Sequence, residues 1–160
     1  IIQIMCTLSL FLLFAICSLI LITISASNYK GLLGDADDNF NANSSLRYVT
    51  NKLHAYDTEN GIHIETINNI QCLSLKKGSD NELYKTLIYY YDGYLYELYA
   101  STDFVFSPGK GEKLMKLNDF KFNVSENNTI TLNARTLNDK EVTTIVHLRC
   151  AQPKEVKPNA

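Results

Sequence analysis

The chain opens on an unbroken apolar stretch. Ile1 to Ala26 hold no charged residue and no proline, and every charge lies beyond them. A helix rises about 1.5 Å per residue, so this run covers the roughly 30 Å hydrocarbon core of a bilayer with some tilt. Its polar residues (Gln3, Thr7, Ser9, Ser18, Thr23) are uncharged, and Ser and Thr hydroxyls in a helix bond back to its own carbonyls. A buried core helix seldom runs this far without a charge. A cleaved signal is the competing reading, since Ser25, Ala26 and Ser27 are small enough for a peptidase site, but signal cores usually span only about 7–15 residues. Residues 1–26 are therefore read as a single-pass transmembrane anchor in contact with lipid. Because the chain begins with Ile, residues upstream are expected.

The pattern then loses its apolar character. Residues 27–44, with Gly31, Gly34 and the run Asp35-Ala36-Asp37-Asp38-Asn39, read as a linker. An EF-hand calcium loop begun at Asp35 would need Gly and Glu at its sixth and twelfth positions, which hold Phe40 and Leu46. Next, Leu46, Val49 and Leu53 recur at helical spacing and Tyr56 extends the stripe, predicting a short amphipathic helix from Ser45 to Tyr56. A helix so short needs a sheet to lie on.

From Ile62 the period becomes two. Strands are expected from Ile62, over Ile70–Leu75, Leu83–Tyr91, Tyr94–Ala100, Lys113–Leu117, Phe120–Val124, Thr129–Thr136 and Glu141–Leu148. Turn residues separate them: Asn68-Asn69, Asp92-Gly93, Asn118-Asp119, Asn127-Asn128 and Asn138-Asp139. Asp-Gly is the clearest hairpin signal, because a type I′ turn needs positive φ at both central residues. No helix intervenes to allow a parallel crossover, so an antiparallel meander is predicted. Residues 152–160, with two prolines, are expected to be disordered or extended. The expected fold class is α+β: an anchor over 1–26, a linker over 27–44, a domain over 45–151 and a tail over 152–160.

Composition narrows the function. A net charge of −2 and a pI near 5.9 give no basic footprint for nucleic acid. Cys6 and Cys17 fall in the apolar stretch, whereas Cys72 and Cys150 lie near strand ends and are the candidate disulfide pair if the domain is oxidised. No CxxC or Cys/His cluster suggests zinc. His54, His63 and His147 read as surface or sheet-face residues, and no GxSxG elbow or phosphate-binding loop is present. No catalytic residue, metal, cofactor or small-molecule substrate is expected. The remaining candidate is a tyrosine-rich hairpin, where Tyr89, Tyr91, Tyr94 and Tyr96 would face a partner if not packed inward. Sequons at Asn43, Asn123 and Asn127 arise readily in an Asn-rich chain.

Two segments carry a family resemblance. They are Ser45 through Leu53 with Asp57 shortly after, and the hairpin Thr86 through Tyr99; a closing strand ending Leu148-Arg149-Cys150 fits too. On these, the chain resembles type IV pilin-like and pseudopilin proteins, and most nearly the DUF4860 family of Gram-positive bacteria. The pilin processing site, with its Phe/Met and a Glu five residues in, is not visible in this sequence. The resemblance implies a non-enzymatic, membrane-anchored structural subunit with an extracellular head, a minor or accessory part of a pilus-like or secretion-like assembly whose partners are other pilin-like subunits. The rival reading is a tethered extracellular binding module that uses the tyrosine hairpin.

Overall fold

The computed structural model describes residues 2–77, 83–125, 127–150 and 154–156. It is an α+β chain in two compact units, Ile1–Asp37 and Asp38–Ala160. A single helix, α1 (Ile2–Ala55), takes in the apolar stretch, the expected linker and the amphipathic stripe. The linker expectation over residues 27–44 is therefore corrected: the segment is helical throughout. The first proline is Pro108, so nothing breaks the helix. Gly31 and Gly34 cost about 1 kcal/mol each relative to Ala, but extending a helix already nucleated on either side needs no new nucleus.

In the first unit, Ile2–Ala26 is long and apolar enough to cross a membrane, and none of the residues in its apolar window is buried within the chain. Three of its hydroxyls bond within the helix. Thr7 donates to the Gln3 carbonyl (2.6 Å), Ser18 to Phe14 (2.9 Å) and Thr23 to Ile20 (2.8 Å).

In the second unit the helix presents Ala42, Leu46, Val49 and Leu53 to the core. The chain then forms β1 (Ile62–Ile67), β2 (Ile70–Leu75), β3 (Tyr84–Tyr91), β4 (Tyr94–Ser101), β5 (Glu112–Lys116), β6 (Asp119–Ser125), β7 (Thr129–Arg135), β8 (Glu141–His147) and β9 (Lys154–Val156). The meander is divided between two sheets, ordered β5-β4-β3-β2-β1-β9 and β6-β7-β8. Consecutive strands pair antiparallel, as expected. The exception is β9, which adds to the edge of β1 in parallel, so residues 154–156 take the extended of the two conformations expected for the tail. The rest of the tail lies outside the described residues. Asn68, Asn69, Asp92, Gly93, Asn127, Asn128 and Asp139 all have positive φ, the conformation that tight hairpin turns demand and that Asn, Asp and Gly tolerate best.

One core joins helix and sheets. Ile62, Ile64, Leu73, Leu75, Ile88 and Leu95 from the larger sheet meet Phe120, Phe122, Ile130, Leu132 and Val146 from the smaller one. The sheets are also tied by Gln71. Its amide donates to the Phe122 carbonyl (2.8 Å) and accepts from the Phe122 N–H (3.2 Å).

Candidate partner-binding surface

Strand alternation sends Tyr89, Tyr91, Tyr94 and Tyr96 to one face of the larger sheet, opposite the face that meets α1. Register pairs Tyr89 with Tyr96 and Tyr91 with Tyr94. This face carries its own apolar cluster of Cys72, Leu87, Tyr89, Tyr96, Leu98, Ala100 and Phe106. Tyr89 and Tyr96 stack at 5.5 Å, and Phe106 meets Tyr89 edge-on at 5.0 Å. The segment after β4 supplies Phe106 and a single 3₁₀ turn, Pro108–Lys110, whose Pro108 carbonyl accepts the Tyr89 hydroxyl at 2.8 Å. Gly111 is required here, because a Cβ would lie 2.5 Å from the Tyr89 oxygen and 2.9 Å from the Glu97 carbonyl. Two of the four tyrosines are thus buried. Tyr94 is half-buried under Lys113, whose ammonium sits 4.5 Å from its ring, and only Tyr91 is open, at 41%.

The most exposed aromatic pair lies elsewhere. Tyr84 and Tyr99, on the α1 side of the same hairpin, stack at 5.4 Å and remain 52% and 69% exposed. They belong to the stretch read as tyrosine-rich, but a count of tyrosines does not tell which ones a loop covers.

Cys72 and Cys150 are both free thiols, which corrects the disulfide expectation. Cys72 is buried among Tyr89 and Tyr96 on the face away from α1, whereas Cys150 is exposed beyond β8. Burial pushes the Cys72 thiol up to about 12, with the Glu65 carboxylate adding to the shift, so the thiolate is disfavoured. Burial likewise pushes the Tyr89 phenol up to about 12.

Polar contacts fasten the helix to its surroundings. Glu97 faces α1 from β4, accepting from the Tyr48 hydroxyl and pairing with Lys52 at 2.6 Å. Burial works against the charge on Lys52, but Glu97 and Tyr48 outweigh it and its pKa rises. Burial and Glu97 raise Tyr48 as well, which keeps it a donor. Asp57, just past the helix, accepts from the Arg149 and Cys150 backbone N–H groups at 2.8 and 2.9 Å. Two of the segments that carry the family resemblance are therefore in contact.

The histidines are dispersed. His54 is exposed on α1, His63 contacts the Asn60 carbonyl (2.9 Å) and His147 contacts the Thr129 hydroxyl (2.9 Å). Among the described residues no three His, Cys, Asp or Glu side chains converge as metal ligands. Gln71, Glu97 and Gly111 were not singled out from the sequence. Glu97 left a signal, an acid centred in the apolar run Tyr94-Leu95-Tyr96-Glu97-Leu98-Tyr99.

No curated protein and no solved structure matches the chain. The model of a domain of unknown function, DUF4860, matches residues 40–137, from the core-facing end of α1 to just past β7. That is more than half of the sequence, and the chain belongs to the DUF4860 family.

Proposed function

We propose that this chain is a membrane-anchored, pseudopilin-like structural protein without enzymatic activity, with its sheet domain on the extracellular side. In this reading it serves a pilus-like or secretion-like assembly as a minor or accessory component, beside other pilin-like subunits. The observation that carries the reading is the unbroken course of α1, whose first part is a candidate membrane span and whose last turns belong to the core of the head. Inside lipid there is no hydrophobic drive between helices, so packing and polar contacts govern association. Outside lipid, the same surface needs neighbouring apolar helices to cover it. The tyrosine-hairpin alternative is weaker, because Tyr89 and Tyr96 already pack beneath Phe106.

Cys150 offers the test, being free and exposed. A membrane-impermeant maleimide is expected to label it on intact cells, and crosslinking is expected to recover pilin-like neighbours. Labelling of Cys150 only after permeabilisation would overturn the orientation.

A further inference from the structure

The two sheets have four outer edges, and three of them are protected. An unprotected edge offers its unpaired N–H and C=O groups to any passing strand. On β5 the short run Glu112-Lys113-Leu114-Met115-Lys116 carries three charges. On β6 the Gln71 amide satisfies the Phe122 N–H and carbonyl as a paired strand would. Beyond β1 the edge strand is β9, only three residues long and carrying the charges of Lys154 and Glu155.

The fourth edge, β8, is different. Its outer side has no strand partner among the described residues. It is seven residues long and carries no Lys, Arg or Pro, and its centre is five consecutive β-branched residues, Val142 to Val146. Ile145 points to solvent with 69% exposure. Nothing in this strand discourages pairing.

We propose that β8 is a docking edge for β8 of a second copy of this chain, joining two three-stranded sheets into one antiparallel sheet of six. The run Glu-Val-Thr-Thr-Ile-Val-His is self-complementary about its midpoint, Thr144. Antiparallel pairing centred there sets Glu141 against His147, Val142 against Val146, Thr143 against Ile145, and Thr144 against itself. The end pairs match a carboxylate with an imidazole, and the others are the β-branched cross-strand pairs that stabilise sheets. A single-residue slip would put valines opposite exposed-face residues, so the register is specified. A second feature lies at the same midpoint. Arg47, Thr50, Asn51 and Thr144 line a groove of about 390 Å³. In the register above, the second copy's Thr144 comes against the Thr144 that lines this groove. The interface is isologous, as a twofold dimer requires. Pairing through β8 does not require the chain to be a pilin-like subunit.

The test uses the full chain in detergent micelles, with mass measured by sedimentation over a range of protein concentration. The wild type is expected to dimerise reversibly. T143K/I145K and T143E/I145E, both altered on the exposed face of β8, are each expected to stay monomeric because like charges then meet across the edge. Mixed one to one, they are expected to recover the dimer. Circular dichroism and the thermal midpoint check that both variants remain folded. A wild type that stays monomeric would overturn the proposal. So would association of either variant to the wild-type extent, which would place the contact on the apolar part of α1, or failure of the mixture to recover the dimer.

Discussion

Leu13 and Leu53 belong to the same helix, yet Leu13 is 62% exposed and Leu53 is 0% exposed. The difference does not lie in the residue. Around Leu53 the chain supplies its own solvent in Ile62, Ile64, Leu73 and the smaller sheet, and it fastens that stretch with Glu97 and Asp57. Around Leu13 it supplies nothing, while hydroxyls such as Thr7 and Ser18 are closed onto the helix's own carbonyls. That combination is what hydrocarbon demands, because no lipid group can satisfy a stray polar atom. One part of α1 is built for a protein interior, and the other is long and apolar enough to cross a bilayer.

The sharpest way to break the comparison is to truncate the two leucines in turn. Leu53→Ala is expected to destabilise the head by about 2–5 kcal/mol, the cost of a core cavity, whereas Leu13→Ala should leave head unfolding unchanged. Denaturant titration followed by near-UV circular dichroism separates them. Next comes a charge. Leu13→Arg is expected to cost about 2.5–3.5 kcal/mol of insertion free energy at mid-membrane, read as a drop in the membrane-integrated fraction with head stability intact.

A smaller effect is expected at the polar tie. Glu97→Ala leaves Lys52 and Tyr48 without their acceptor and should cost about 1–3 kcal/mol, toward the lower end because the pair is partly exposed. The Lys52→Met, Glu97→Ala double variant should be less destabilised than the sum of its singles.

A further effect is graded with pH and is absent at neutrality. Cys72 rises from 9.0 to about 12 and Tyr89 from 10.0 to about 12, so the folded head holds both protons more tightly than the unfolded chain. Their contribution is complete below pH 9 and is lost as pH climbs from there toward 12. Lys52 adds the same trend, since its raised pKa gives stability that is present below 10.5 and lost as pH passes the folded value. The head should therefore weaken in alkali, with tyrosine absorbance lagging behind that of free tyrosine until it unfolds.

Much of the fold was legible because its signals are local. Alternation at Ile62 and Ile64, the Asp92-Gly93 turn and the stripe Leu46, Val49, Leu53 each express a period or a φ requirement that neighbouring residues reveal. The misread pieces depend on context. Residues 27–44 look like a linker by composition and are helical because both flanks are. The two sheets are tied by Gln71 reaching Phe122, and a side-chain amide bonded to a distant strand leaves no periodic trace. The tyrosine surface was legible only halfway. Alternation correctly put Tyr89, Tyr91, Tyr94 and Tyr96 on one face, but that Phe106 and Gly111 would close over two of them is a tertiary fact.

The account rests on residues 2–26 remaining in the protein as its hold on the bilayer. Intact-mass analysis of the native protein, after separating alkali-washed membranes from the soluble fraction, tests this most directly. The account predicts a membrane-retained species that still contains this segment. A soluble species whose sequence begins near Asn28 would contradict it.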